Sequence, residues 1–348
     1  MRIVVASVRT PFVRGGAEVL ADELVKALAA AGHQAELYQI PFNPAPERIP
    51  DQMLACALMN VDSVYGNEVD RLIALKFPAY LIPHRHKVVW LLHHFRAAYD
   101  LWDHSLGNLR NAPYGALVRD IIQRADAKLS SESKALFTLS ENVTQRVSKY
   151  WKVDSTPLHH PPAGAESFYC ADQLDDAIFF PSRIAANKRQ DLALHALALT
   201  RSPVRLKFAG TADSPPYFDR LEQLAGKLGV SSRIEWMGFL SEAQKRDAYA
   251  HSLAVLFPPF DEEYGYVTLE AMLSSKAVIT CEDSGGPLEF VVPNQTGLVT
   301  APTPESLAAA MDKIWQDHVL AKELGQAGRN HYDRLGLSWA NVVRQLTA

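Results

Sequence analysis

Two carboxylates eight residues apart, Glu262 and Glu270, flank Gly265 in the stretch FPPFDEEYGYVTLEAMLSSKAVITCEDSGGPLE, Phe257 to Glu289. An ionised carboxylate only accepts hydrogen bonds, so a pair of them suits the neighbouring hydroxyls of a sugar or a ribose. A helix expected to open at Gly265-Tyr266-Val267 adds N–H groups and the positive end of its dipole, which together hold phosphate. A second loop carries Ser284, Gly285, Gly286 and Glu289. In FFPSRIAANKRQD, Arg183 and Lys188 supply cations of two kinds. The guanidinium can fork two phosphate oxygens, and the ammonium is a mobile point charge. Hydroxyl acceptors, phosphate donors and close backbone in one block suit a sugar nucleotide. Each feature also has a plain structural reading. Asp261-Glu262-Glu263 could be a solvated acidic loop, Lys188-Arg189 a basic surface turn, and Glu289 a helix cap.

Side chains of this kind need strand ends and helix starts to hold them. In the N-terminal half, short apolar strands are expected at 3–7, 35–40, 71–75, 87–92, 135–139 and 156–159. Helical apolar spacing falls at 17–31, 51–59, 113–131 and 142–151. A proline-rich, acidic segment from Pro161 to Asp176 reads as a linker. A second alternation follows, with strands at 177–181, 204–209, 233–236, 253–257, 277–280 and 297–300. Its helices fall at 188–200, 216–228, 241–250 and 265–275, with only irregular structure between Gly285 and Asn294. Strands separated by helices make parallel, doubly wound sheets. The fold class is therefore α/β with two Rossmann-like halves, 1–165 and 175–336.

The ordered block resembles the retaining glycosyltransferases of family 4. It has Glu-x7-Glu with Gly265 three residues after the first Glu, an aromatic residue (Tyr264) before that glycine, and then Gly-Gly-x-x-Glu. The resemblance implies the GT-B fold, with the two halves facing across a cleft and the last helix (337–348) returning to the N-terminal domain. It assigns Arg183 and Lys188 to the departing diphosphate, Glu262 to hydroxyls of the transferred sugar, and Glu270 to the ribose. Tyr264, Gly265, Tyr266 and Val267 then line the donor phosphates, and Gly238-Phe239-Leu240 lies beside the base. In Arg14-Gly15-Gly16-Ala17-Glu18 the resemblance places Gly15 and Gly16 against diphosphate and acceptor. It also places a histidine on the donor sugar: His93, with His94 as the alternative because a one-residue change of strand end exchanges them. Arg14, His94, Arg96 and Tyr99, with Asp100 in the same loop, are candidate acceptor contacts.

The implied reaction displaces a nucleoside diphosphate from an anomeric carbon and leaves an α-linkage. The site must therefore oppose the negative charge that grows on the leaving group. No Asp-x-Asp occurs, which points to protein cations and to no metal or other cofactor. Expected partners are a UDP- or GDP-sugar and a saccharide or lipid-linked acceptor, in polysaccharide, lipopolysaccharide or glycoconjugate assembly. A sugar-nucleotide 2-epimerase and a non-catalytic nucleotide-sugar-binding subunit are the rival readings.

Bulk properties agree with two domains of ordinary size: 348 residues, 48% hydrophobic and 21% charged. A net charge of −4 gives no electrostatic case for nucleic acid. Cys56, Cys170 and Cys281 lack metal spacing and suit a reducing compartment. No apolar run has the length of a membrane span, and no signal peptide is expected before the strand at Arg2. The expected location is the cytoplasm, with peripheral association at the inner membrane face. The cluster His84-Arg85-His86-Lys87 is read as a polar turn.

Overall fold

A computed structural model describes residues 1–12 and 14–348, the side chain of Ser130 excepted. Two compact units emerge, one of Met1–Ala163 with Ser338–Ala348 and one of Gly164–Leu337.

The first unit runs β1 (Arg2–Arg9), α1 (Gly16–Ala30), β2 (Gln34–Pro41), α2 (Ile49–Leu58), β3 (Ser63–Val64), β4 (Asn67–Glu68), β5 (Arg71–Ala74), β6 (Lys87–Leu91), α3 (Gly115–Glu132), β7 (Ala135–Thr138), α4 (Glu141–Trp151) and β8 (Thr156–Pro157). Its parallel sheet has the order β2-β1-β5-β6-β7-β8. The interior of β1 and all of β6 are buried, as strands covered on both faces must be, which is why they read as unbroken apolar runs. Leu20, Leu24 and Leu28 turn one stripe of α1 into the core. Sequence patterning did not signal the small antiparallel β3–β4 hairpin, whose strands are two residues each.

The second unit runs β9 (Ala177–Pro181), α5 (Gln190–Leu199), β10 (Arg205–Ala209), α6 (Pro215–Lys227), β11 (Ile234–Gly238), α7 (Glu242–His251), β12 (Ala254–Leu256), α8 (Tyr266–Leu273), β13 (Ala277–Cys281), β14 (Gly297–Thr300), α9 (Pro304–Gln316) and α10 (His318–Leu335). Its sheet is also parallel, in the order β11-β10-β9-β12-β13-β14. One apolar cluster built from Ile178, Phe180, Leu206, Ile279, Leu307 and Met311 joins the sheet to its helices. Helix α5 starts two residues later than its spacing suggests, because 186–188 form a 3₁₀ turn and Arg189 has φ +59°. Lys188 therefore projects from a turn. Within the expected linker, Phe168 is buried against Tyr249, 5.9 Å between ring centres, so that part of it belongs to the second unit.

The last helix, α11 (Trp339–Thr347), belongs to the first unit. Trp339 lies 6.3 Å from Trp90 and 5.3 Å from His160, ring centre to ring centre. Burial holds His160 down to about 3, so it stays neutral in the folded chain. Arg71 donates to the Leu346 carbonyl at 2.9 Å.

Asp126 is buried inside the first unit, where its two oxygens accept from Tyr80 at 2.7 Å and Tyr99 at 2.8 Å. Burial raises its carboxyl from the ordinary 3.8 to about 7, and the two hydroxyls offset only part of that rise. Between those values the folded chain keeps a proton that the unfolded chain releases. This group's contribution to stability is therefore present below about pH 4 and is lost as pH rises toward 7. His160 acts oppositely as pH falls from 6.5 toward 3, so the informative quantity is a difference between proteins. The stability difference between wild type and Asp126→Asn, from urea unfolding, is expected to shift toward the variant from pH 4 to pH 7 and to stay level above. A difference independent of pH over that range rules the assignment out.

Candidate active site

Four loops meet at the carboxyl ends of the second sheet, after β9, β10, β12 and β13. The chain runs outward from β9 through β10 to β11, then crosses back to place β12 on the other side of β9. At such a reversal adjacent loops leave in opposite directions and open a crevice, the usual ligand position in an open α/β sheet. Lys188 follows β9 and Glu262 follows β12. Across that point the Lys188 ammonium donates to Glu262 Oε2, with both side chains largely buried. Lys188 Nζ also stands 5.5 Å from the centre of the Phe257 ring.

The backbone fixes these loops to one another. Phe260 N–H donates to Asn187 O at 2.8 Å, Asp261 N–H to Asp283 O at 2.9 Å, and Glu262 N–H to Ser284 O at 2.9 Å. Gly286 N–H returns a bond to Glu262 O at 2.8 Å. Arg189 adds a two-pronged ion pair to Asp283, at 2.8 and 2.6 Å, with its guanidinium over Phe260. Glu262 thus sits on a braced frame, which is what a group that must meet a substrate hydroxyl in one geometry requires.

Arg183 lies on the same edge, paired with Asp213 of the β10 loop at 2.6 Å, and both side chains are about two-fifths exposed (42% and 39%). Gln190, fully buried, donates to Arg183 O at 3.0 Å and so anchors the backbone of that turn. Helix α8 starts after Gly265, which has φ +86°. In its first turn the Thr268 N–H donates to Gly265 O at 2.9 Å, and the first N–H groups of any α-helix have no partner four residues back. Glu270, inside α8, is 8% exposed and holds two donors, Lys245 Nζ at 2.9 Å and the Tyr249 hydroxyl at 2.8 Å. Burial alone would lower Lys245, but Glu270 and Glu242 outweigh it and its pKa is raised. Burial, and then Glu270, push the Tyr249 hydroxyl well above its ordinary value. At the end of β11, Gly238 O accepts from Gly210 N–H at 2.8 Å, and in the loop beyond it Phe239 is 78% exposed. Tyr264 is buried against Tyr266 and Phe290, and Val267 follows in the first turn of α8.

In the first unit, Gly15 precedes α1 and Gly16 begins it; the Glu18 carboxylate accepts from Gly15 N–H at 2.8 Å and shapes the turn. Arg14 is exposed and paired with Asp22 at 2.8 Å. His93 is part-exposed, its Nδ1 2.7 Å from the His94 carbonyl. His94 is completely buried, with Nε2 2.6 Å from Asp100 and its ring between Tyr99 and Tyr150. Burial lowers His94. For Asp100, burial is outweighed by the His94 bond and the Arg96 charge, and its carboxyl falls to about 2. Arg96 donates to the same Asp100 at 2.8 Å. Tyr99 is buried with its hydroxyl on Asp126. Of the candidate acceptor contacts, His94 and Tyr99 thus face inward to protein partners and Arg14 faces out.

Among the described residues no group of three or more His, Cys, Asp or Glu side chains is placed to hold a metal ion. No helix of the described residues is long and apolar enough to cross a membrane. Sequence reasoning missed Lys245, Tyr249, Asp213 and Asp283. Only the first two left a local sign, their i, i+4 spacing on α7.

Solved structures define the fold as GT-B. Sucrose-phosphate synthase from Thermosynechococcus elongatus superposes with a TM-score of 0.81 at 16% identity, covering 100% of this chain and 98% of that one. Anabaena HepE in complex with UDP and glucose gives 0.75 at 15% identity, covering 100% and 98%. Residues 171–331, most of the second unit, match the sequence model of glycosyl transferases group 1. The alpha-1,3/1,6-mannosyltransferase ALG2 of Dictyostelium discoideum is 28% identical over 176 residues, 45% of this chain and 42% of that protein. The chain thus matches less than half the length of this curated relative.

Proposed function

We propose that the chain is a metal-independent retaining glycosyltransferase that moves a sugar from a nucleoside diphosphate to a saccharide or lipid-linked acceptor. The observation that carries the reading is the Lys188–Glu262 pair across the strand-order reversal of a group 1 domain. It joins the two chemistries the reaction needs, a cation for the leaving phosphate and a carboxylate for sugar hydroxyls. In the reaction the acceptor oxygen bonds to the anomeric carbon as the carbon–oxygen bond to the diphosphate breaks. The acceptor proton passes to the leaving phosphate on the same face, which preserves the α configuration. Lys188, Arg183 and the N–H groups at the start of α8 take up the charge gained by the phosphate. Glu262 and Lys188 neutralise each other before donor binds, and each then exchanges its partner for a ligand group. His93, Gly15 and Gly16 of the first unit keep the roles that the family resemblance implies for them.

Anabaena HepE, solved in complex with UDP and glucose, supports a UDP-sugar as donor. The unpaired cysteines, two of them buried and pushed up to about 11 by burial, support a reducing cytoplasmic setting. Assembly of polysaccharide or lipopolysaccharide at the inner membrane face is the corresponding role.

Thermal-shift measurement with UDP, GDP, ADP and TDP and their sugars tests the donor site, since a ligand bound by the native state raises the unfolding temperature. Product analysis with the stabilising donor then decides the chemistry. Acceptor-dependent α-linked product supports transfer. Inversion at the sugar's C2 without acceptor identifies an epimerase, and binding with no turnover identifies a non-catalytic subunit.

A further inference from the structure

Lys276 stands in the turn between α8 and β13 and is 2% exposed. Its Nζ is enclosed, and among the described residues no oxygen or nitrogen bonds to it. An amine buried in that way costs free energy that an apolar side chain of similar length would not. The turn holds it firmly. Ser275 has φ +52°, and the Lys276 N–H donates to Ala271 O at 2.9 Å.

The chain that leads into the second unit passes the same place. β12 and β13 start side by side, with Ala254 opposite Ala277. The segment before β9 lies along the end of α7 that leads into β12. Ala171 N–H donates to Ala250 O at 3.1 Å, and Asp175 N–H to His251 O at 2.7 Å. These bonds fix Cys170, whose S–H donates to Ala171 O at 3.7 Å. Its sulfur is close enough to the Lys276 amine to act on it by charge and by hydrogen bond. Burial lowers Lys276 from the ordinary 10.5, and Cys170 offsets only part of that fall. Of the three cysteines Cys170 alone is exposed, while burial pushes Cys56 and Cys281 up to about 11 and keeps them as inert thiols. A thiol open to solvent thus meets a buried amine without a partner, at the end of the sheet opposite the candidate active site.

We propose that Cys170 and Lys276 are a modification site, where a hydroperoxide drives formation of a sulfur–nitrogen cross-link that thiols reverse. The peroxide oxygen passes to the Cys170 sulfur, giving a sulfenic acid and water as the O–O bond breaks. The neutral Lys276 amine then attacks that sulfur. The N–S bond forms as the S–O bond breaks, and the hydroxide leaves as water with a proton from the amine. Sulfur is oxidised by two electrons and one peroxide is reduced. A thiol reductant reverses the step by displacing the amine through a mixed disulfide, which a second thiol resolves. The site does not depend on the glycosyl-transfer reading.

Mass spectrometry of the full chain, exposed to hydrogen peroxide, tests the assignment. Wild type is expected to lose two hydrogen atoms and regain them in dithiothreitol. A digest made before reduction should contain one linked peptide pair, holding Cys170 and Lys276. Lys276→Met should stop at the sulfenic acid, trapped by dimedone on Cys170 in much larger yield than in wild type. Cys170→Ser, at an exposed position, should abolish the link, and the wild-type digest decides alone should the methionine variant fold poorly. Equal dimedone labelling of wild type and a folded Lys276→Met overturns the proposal. So does a wild-type Cys170 that stays reduced, ends in a disulfide between two chains, or links to a different lysine.

Discussion

Lys188→Ala is expected to lower turnover by about 100-fold or more, the usual effect of removing one preorganised group that stabilises transition-state charge. The same change takes the Lys188 ammonium away from the largely buried Glu262 carboxylate. A loss of stability of about 1–3 kcal/mol should accompany it, and low activity alone would not distinguish a catalytic lysine from a structural one. The double variant Lys188→Ala, Glu262→Gln separates them. Neutralising Glu262 as well should recover part of the stability in urea unfolding, while turnover stays at or below the single variant's level. Recovery of turnover along with stability would reduce the pair to a brace between two loops. Glu262→Gln alone should also lower turnover strongly with an intact fold, since an amide cannot accept from sugar hydroxyls on both of its atoms.

Gly210→Ala should have the largest effect on stability, about 3 kcal/mol or more, read as a fall in the urea midpoint. Gly210 has φ +143°, a region that side chains avoid, and a Cβ there would lie 2.0 Å from the Ser182 carbonyl oxygen and 2.6 Å from its carbon. Both are backbone atoms, so no rotamer change relieves the clash. The turn just after β9 that carries Ser182 must move, and Arg183, the next residue, moves with it. Gly238→Ala is the control. With φ +64° and open space around its Cβ, it should cost only about 1 kcal/mol, the strain of a left-handed residue alone. Equal losses in the two variants would show that backbone contact at Gly210 is not the cause.

Much of this architecture was legible in the sequence, because strands buried on both faces leave continuous apolar runs. β9 and β14 have the bounds expected from AIFFP and GLVT. The β3–β4 hairpin escaped because two residues per strand are too few for alternation to register. Lys188 was read into a helix because nothing in the spacing marks the positive φ of Arg189. The site divides the same way. Glu262, Gly265 and Glu270 lie in one short block whose order is itself a signal, whereas their partners come from elsewhere in the chain. Arg183 meets Asp213 across 30 residues and Arg189 meets Asp283 across 94, distances over which only the fold brings charges together. The choice between His93 and His94 was open because one residue of strand end reverses it. In the fold His94 is enclosed by Asp100, Tyr99 and Tyr150, and His93 is part-exposed.

The return of α11 to the first unit has a consequence for how the chain matures on the ribosome. Domains ordinarily fold as they emerge, the earlier one first. Here Trp90 and His160 remain without their cover until Trp339 has been synthesised, after the whole of the inserted unit. The unit translated first is thus completed last, and a nascent chain stalled between 164 and 337 should display an apolar patch that chaperones recognise and that the finished protein hides.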